Sequence, residues 1–127
     1  MELVLKITEL APPRRYRVGK HNQVEIADCA RIDLAADEQV TFRTAAGAEY
    51  DVTRKDWGFY ATPSLNGRLS DFGLRGVLVR NTQGRMFVLL VERTHETSFQ
   101  RYVEEEQLRI VAWLDGDVVD VEAALSR

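Results

Sequence analysis

The sequence has a single cysteine, Cys29, which excludes an intrachain disulfide. A lone thiol suits a reducing compartment better than an oxidising one, so we expect a cytoplasmic location. The sequence also lacks any apolar run of about 18 residues, the length that a membrane-spanning helix needs. Met1-Glu2 is not followed by the basic and apolar segments of a secretory signal. We therefore expect neither export nor membrane insertion.

Histidine is scarce as well, with His21 and His95 as the only two. One cysteine and two histidines lack the paired spacings of a structural zinc site, so no metal is expected. The glycines of 58–67 and 73–76 match neither the dinucleotide-binding pattern nor the P-loop pattern. We therefore expect no nucleotide cofactor.

An excess of positive charge is also absent, since the net charge is -3 and the pI is about 5.4. Proteins that bind nucleic acid or anionic membranes usually carry a basic surface that draws them to phosphates. The charge therefore argues against both kinds of partner.

Apolar residues are present in the proportion expected of a globular protein. The chain of 127 residues is 45% hydrophobic and 29% charged, far from the composition of a disordered protein. This length matches the common size of one domain and is sufficient for an independent core. We predict a single globular domain over 1–127.

The first third of the chain predicts short strands. Residues 3–10 alternate apolar and polar side chains, and Pro12-Pro13 is expected to end this strand. Tyr16 to Val18 and Val24 to Ile26 predict two further strands around a turn at 19–22. The state of 28–38 is left open, because its residues suit a strand, a loop or a short helical turn.

Two hairpins are predicted in the middle of the chain, over 38–52 and 76–92. In the second, Asn81 and Gly84 supply the residue types that a tight turn needs. Residues 86–91 are apolar on both sides, which predicts a central strand covered on both faces. Residues 108–114 have the same character and are expected to join the sheet beside it.

One main helix is predicted near 97–107. Thr97 and Gln100 have the spacing of a capping box, and Phe99, Tyr102 and Val103 follow at helical spacing. For 118–125 a short helix and an edge strand both stay open. The fold class is therefore α+β: a mainly antiparallel sheet, either barrel-like or two-layered, with one helix packed on a face.

Residues 56–73 are the most plausible site, because this connection between strand pairs is long and rich in aromatic residues and glycine. Trp57 and Tyr60 can stack on a sugar or base, Asn66 and Asp71 can hydrogen-bond to it, and Arg68 can bind a carboxylate or phosphate. The structural alternative is that the aromatics plug one end of the sheet while Asn66-Gly67 forms a turn and Arg68 is solvated.

The leading functional hypothesis is a non-catalytic cytosolic binding or accessory module. It contacts a protein partner or a small polar ligand, such as a sugar, through 56–73. The alternative is a small enzyme with an acid/base site under the same loop, built from Asp56, Tyr60, Asp71 or His95. A homodimer formed through exposed strand edges is a third hypothesis.

Overall fold

The computed structural model describes residues 5–21 and 23–127. Its strands are β1 (Lys6–Val18), β2 (Val24–Asp33), β3 (Gln39–Arg43), β4 (Glu49–Lys55), β5 (Gly58–Thr62), β6 (Leu74–Arg80), β7 (Met86–Glu92) and β8 (Arg109–Trp113). Its helices are α1 (Arg68–Asp71), α2 (Glu96–Glu105) and α3 (Val118–Leu125), with a 3-10 turn at Arg93–His95 before α2. The predicted α+β class with antiparallel sheets is confirmed, and the sheets do not close into a barrel.

The chain divides into two compact units. Unit 1 comprises 1–40 with 52–60, and unit 2 comprises 41–51 with 61–127. Each unit is described by itself below, and the prediction of a single domain over 1–127 stays a prediction.

In unit 1, β1 and β2 pair as a long antiparallel ribbon. Ile7 lies opposite Ile32 and Tyr16 lies opposite Ile26. The expected strand end at Pro12-Pro13 is wrong, because β1 continues through both prolines. Its pairing register with β2 shifts between Glu9 and Arg14. Proline has no N–H group to donate, but at this irregular point no regular hydrogen bond between the strands is lost. The predicted start of this strand at Leu3 lies outside the described residues.

The hairpin predicted over 38–52 is confirmed as β3 and β4. These two strands form a three-stranded sheet with β5, in the order β3-β4-β5. The connection closes through the hydrogen bond from Thr44 N to Ala48 O at 3.0 Å. Gly47 has a φ of +94°, a conformation that side chains disfavour.

In unit 2, β6 is the central strand of a sheet with the order β7-β6-β8. The hairpin predicted over 76–92 is confirmed as β6 and β7, joined by a turn in which Gly84 has a φ of +79°. The prediction that 86–91 form the central strand is wrong. β8 pairs with β6, placing Val77 between Leu89 and Trp113, so β7 lies at the edge of this sheet.

The main core of unit 2 joins this sheet to α2. Val77 and Val79 of β6 are fully buried and pack with Val91 of β7 and Phe99 of α2. The Phe99 ring meets the Trp113 ring edge-on, with 5.7 Å between centroids, an arrangement that favours aromatic packing. A second small core on unit 2 consists of Ala48, Leu69 and Leu74.

The main helix lies close to its predicted position, but its start differs. The N-cap is His95, which makes no side-chain capping bond, and Thr97 lies inside the helix. The predicted capping box is therefore wrong, since the preceding 3-10 turn leads the chain directly into α2. Residues 118–125 are helical, and the Asp117 carboxylate caps α3 by accepting from Val119 N at 2.8 Å.

Within 5–21 and 23–127, no helix has both the length and the apolar character needed to cross a membrane.

Candidate functional site

Residues 56–73 are not a structureless loop. They contain all of β5 and the short helix α1. The boundary between the two units also falls inside this segment, between Tyr60 and Ala61. Of the five predicted ligand-binding residues, Trp57 and Tyr60 belong to unit 1, whereas Asn66, Arg68 and Asp71 belong to unit 2. The structure therefore describes them as two separate groups.

The group on unit 1, which we call the exposed aromatic turn, consists of Trp57 between β4 and β5 and of Phe59 and Tyr60 at the start of β5. The exposed fraction is 68% for Trp57, 63% for Phe59 and 54% for Tyr60. Gly58 lets the chain turn here with a φ of +146°. A side chain that plugs the end of a sheet is buried, so the exposure of these three side chains disagrees with the structural alternative stated above.

A neighbouring ion pair holds the end of β4 that leads into this turn. Lys55 Nζ donates to the Asp37 carboxylate, and this hydrogen bond raises the pKa of the Lys55 ammonium. On the same strand Arg54 donates to Leu34 O at 2.9 Å. These contacts fix the base of the turn while its aromatic side chains face solvent.

The group on unit 2 is built around α1. Ser64 Oγ accepts from Arg68 N at 3.1 Å, and a Cβ at position 67 would lie 2.6 Å from the same oxygen. A side chain at position 67 would therefore displace the Ser64 hydroxyl that accepts from Arg68 N. The Arg68 guanidinium lies 5.5 Å from the centre of the Phe72 ring, a cation–π distance. Asn66 and Asp71 are exposed, and neither contacts Arg68 through a hydrogen bond or ion pair described here.

A cavity of about 300 Å³ lies beside Asp71 on unit 2. Its wall includes Gly47, Gly73 and Arg93. Arg93 Nη1 donates to Ser70 Oγ at 2.6 Å, which holds the guanidinium against α1. The lining also includes the carboxylates of Glu49 and Glu92, so the cavity is polar and suited to a polar group, but neither Trp57 nor Tyr60 lines it.

A larger groove of about 420 Å³ lies between β7 and α2, and sequence reasoning missed it. We call it the β7/α2 groove; its lining residues are Leu89, Leu90, Val91, Glu92, His95, Ser98, Phe99 and Tyr102. Its floor is apolar, whereas its end nearest the start of α2 is polar. The signal that was available is the helix pattern itself, because the spacing of Phe99 and Tyr102 already indicated an apolar helix face.

His95 belongs to the polar end of this groove. Its Nδ1 lies 2.9 Å from the Glu92 carboxylate and 2.9 Å from Thr94 Oγ1. The carboxylate that contacts His95 is that of Glu92, whereas Glu96 accepts from Arg75. No hydrogen bond or ion pair in the described part of the chain joins His95 to Asp56, Tyr60 or Asp71.

Arg75 forms the most extensively bonded charged cluster described in unit 2. Its guanidinium donates to both Asp115 oxygens at 2.6 and 3.2 Å and to Glu96 Oε1 at 2.6 Å, and it stacks on Trp113 at 3.9 Å. These hydrogen bonds from Arg75 hold the pKa of the Asp115 carboxyl below its ordinary value of 3.8. With these donors engaged, Arg75 ties α2 and the end of β8 to the central strand.

Among the described residues, no group of three or more His, Cys, Asp or Glu side chains is placed to hold a metal ion. Comparison with protein-family models, with curated proteins and with solved structures gives no match to this chain. Function therefore has to be inferred from the geometry of the chain itself.

Proposed function

We propose that this protein is a non-catalytic binding module for a protein partner, with the exposed aromatic turn Trp57, Phe59 and Tyr60 as the contact surface. The observation that carries the proposal is that all three rings are more than half exposed. Aromatic side chains are enriched at protein interfaces, where tryptophan and tyrosine are frequent hot spots.

The shape of this surface favours a protein over a small polar ligand. Small-ligand sites are usually concave and bury most of the ligand surface. Trp57, Phe59 and Tyr60 line neither of the two cavities described above. Phe59 and Tyr60 are successive residues of β5 and point to opposite faces, so a protein partner with surface on both sides of the strand can contact all three rings, whereas a sugar would contact one or two of them in open solvent.

Asn66, Arg68 and Asp71 form the second part of the proposal. All three are exposed, and Asp71 and the neighbouring Arg93 offer opposite charges at the 300 Å³ cavity. We assign these residues a secondary role in binding a polar group of the partner. A cytoplasmic location is part of the same proposal and is supported by the single, exposed Cys29.

The enzyme alternative is supported by one observation, the contact of 2.9 Å between Glu92 and His95 beside the β7/α2 groove. A carboxylate can orient a histidine for acid/base work. Against it, both described partners of the ring, the Glu92 carboxylate and the Thr94 hydroxyl, meet the same Nδ1 atom, so the ring does not lie between a nucleophile on one nitrogen and an orienting carboxylate on the other. The binding module is therefore the better supported function.

The test starts with affinity capture by the wild-type chain, followed by titration of the purified partner. Trp57→Ala is expected to weaken binding by about 2 kcal/mol, or roughly thirtyfold in Kd, as for an interface hot spot. Tyr16→Ala removes another half-exposed aromatic from unit 1 and serves as the matched control. Equal affinities of Trp57→Ala and the wild type would refute the proposed surface.

A thermal-shift screen with metabolites tests the small-ligand alternative separately. A metabolite that stabilises the wild type but not Arg68→Ala or Asn66→Ala would assign the site to α1 and the turn before it. A metabolite that stabilises His95→Ala less than the wild type would instead direct attention to the Glu92–His95 pair.

A further inference from the structure

The first half of β7 exposes apolar side chains on both faces of an edge strand. The exposed fraction is 62% for Met86, 49% for Phe87 and 58% for Val88. Successive strand residues point to opposite faces, so Phe87 lies on the face that carries α2, whereas Met86 and Val88 lie on the other. This is the strand that the sequence predicted to be covered on both sides.

The free backbone groups of this edge can be identified from the pairing with β6. Asn81 N donates to Arg85 O at 2.9 Å and Arg93 N donates to Gly73 O at 2.9 Å, one pair at each end of an unbroken register. Residues opposite each other alternate between hydrogen-bonded and non-bonded pairs in an antiparallel ladder. The odd residues of 85–93 therefore face β6. The N–H and C=O groups of Met86, Val88 and Leu90 point outward.

This edge lacks the devices that normally prevent strands from pairing with other molecules. Such devices include proline, lysine, an inward charge and a bulge. Residues 86–91 contain no charged residue and no proline, and the register between β6 and β7 shows no bulge. An apolar, flat edge of this kind is a template for another strand.

We propose that β7 is the interface between two copies of this chain, whose β7 strands pair antiparallel about Val88. Pairing about this residue sets Met86 opposite the partner's Leu90 and Phe87 opposite the partner's Leu89, so every central pair is apolar. The outward backbone groups of the even residues meet those of the partner's even residues, as a hydrogen-bonded ladder requires.

The charges at the ends of β7 favour this direction and this register. Arg85 precedes the strand and Glu92 ends it, so antiparallel pairing about Val88 places Arg85 opposite the partner's Val91 and keeps the two Arg85 residues at opposite ends of the interface. Parallel pairing would align the two Arg85 residues. Moving the centre to Leu89 would set Arg85 opposite the partner's Arg93, and like charges directly opposite destabilise a sheet.

In the proposed dimer, each copy fills the β7/α2 groove of the other. In the proposed register the partner's Phe87 lies beside Leu89 on the face that carries α2, where the groove offers Leu89, Val91, Phe99 and Tyr102 as an apolar wall. By symmetry Phe87 of the first copy enters the groove of the second. A two-fold interface of this kind closes on itself, so assembly stops at the dimer.

The direct test is the mass of the protein in solution, measured by size-exclusion chromatography with light scattering. The wild type is expected to be a dimer and Val88→Lys a monomer, because the two lysines would lie directly opposite each other at the two-fold axis and repel. Val119→Lys changes a valine of α3 that is 73% exposed and is expected to stay dimeric. A monomeric wild type, or a dimeric Val88→Lys, would overturn the proposal.

Val88→Pro provides a second variant that spares the fold of each copy. The Val88 N–H points away from β6, so proline removes a hydrogen bond to the partner strand and none within the chain. Its circular dichroism should match that of the wild type while its mass is that of a monomer. A folded, dimeric Val88→Pro would contradict the proposed ladder.

Amide hydrogen exchange on the wild type reads the register without any substitution. Phe87 and Leu89 amides should be protected at every protein concentration, because they bond to β6. Met86, Val88 and Leu90 amides should gain protection only as the dimer forms. Protection of these three amides that does not change on dilution would refute pairing between copies.

Different variants test the dimer proposal and the proposal of a partner-binding turn on unit 1. Trp57→Ala should leave the dimer unchanged, and Val88→Lys should leave the affinity for the captured partner unchanged per chain. Occupation of the β7 edge by a strand of the captured partner would instead show as competition between that partner and the dimer, which would overturn the assignment of a second copy.

Discussion

Unit 1 and unit 2 differ in the kind of side chain that they bury: apolar side chains in unit 2 and a carboxylate in unit 1. Every apolar side chain described as buried belongs to unit 2; they are Ala48, Pro63, Leu69, Leu74, Val77, Val79, Val91, Phe99 and Ala112. In the described part of unit 1, the buried side chain is that of Glu38, which is 8% exposed. Hydrophobic burial therefore stabilises unit 2, whereas unit 1 depends on backbone pairing and polar contacts.

The β1–β2 ribbon shows what this difference means locally. One of its faces carries Ile7 opposite Ile32 and Tyr16 opposite Ile26, and these four side chains are 37 to 57% exposed. The other face is polar and includes an ion pair between Arg15 and Glu25 at 3.3 Å. A two-stranded ribbon has only marginal stability in water without a second layer. An alternating pattern thus specifies a strand without ensuring that its apolar face is covered.

The largest loss of stability is expected from a substitution in the hydrophobic core of unit 2. Phe99→Ala removes an aromatic ring from the core of unit 2 and should lower the free energy of unfolding by about 3–5 kcal/mol. Urea unfolding followed by Trp113 fluorescence measures it, because the two rings are in contact. Ile7→Ala on the unit 1 ribbon should change stability by less than about 0.5 kcal/mol. Similar losses for the two variants would abolish the distinction between the units.

A smaller effect is expected from the Arg75–Asp115 pair of unit 2. Arg75 lowers the pKa of Asp115 in the folded protein. The contribution of this pair to the free energy of unfolding is therefore complete above pH 3.8, the ordinary pKa, and is lost as the pH falls through the lower pKa of the folded state. Asp115→Asn should cost about 1.5–3 kcal/mol at neutral pH. It should also flatten the decline of stability below pH 3.8.

Asp120→Asn, on exposed α3, is the matched control for this substitution. It should leave both the stability at neutral pH and its acid dependence close to those of the wild type. An Asp115→Asn protein with unchanged acid dependence would show that the pair does not couple folding to pH.

The smallest effect concerns the buried carboxylate of unit 1. Glu38 accepts from Ala35 N at 2.6 Å and from Leu5 N at 3.2 Å. Glu38→Gln replaces a charged acceptor with a weaker neutral one and should cost about 1 kcal/mol. Hydrogen exchange should accelerate at the Leu5 and Ala35 amides and not at Val77 or Val79. Faster exchange in unit 2 as well would indicate that the two units unfold together.

The sequence predicted the elements whose signals are local. The hairpin of β6 and β7 followed from its turn residues, and α2 followed from the spacing of Phe99 and Tyr102. The errors arose where a local pattern has more than one structural solution. Pro12-Pro13 can end a strand or lie at a register shift, and Thr97 can cap a helix or lie inside one that a 3-10 turn has already started.

The candidate site was predicted in part. The exposure of Trp57, Phe59 and Tyr60 could not be derived from composition, because aromatic residues occur both in cores and at interfaces. The β7/α2 groove, the Glu92–His95 contact and the Arg75 cluster each join elements that only the fold brings together. Arg75 and Asp115 are 40 residues apart in the chain.

By itself the sequence determined the fold class, the main hairpin, the main helix and the apolar character of 86–91, because turn chemistry and side-chain periodicity act within a few residues. Tertiary structure decided which strand lies at the centre of the sheet. β8 can pair with either edge of the β6–β7 hairpin, and both choices satisfy the same local pattern. Pairing with β6 covers Val77 and Val79 completely and leaves Met86, Phe87 and Val88 open to a second strand.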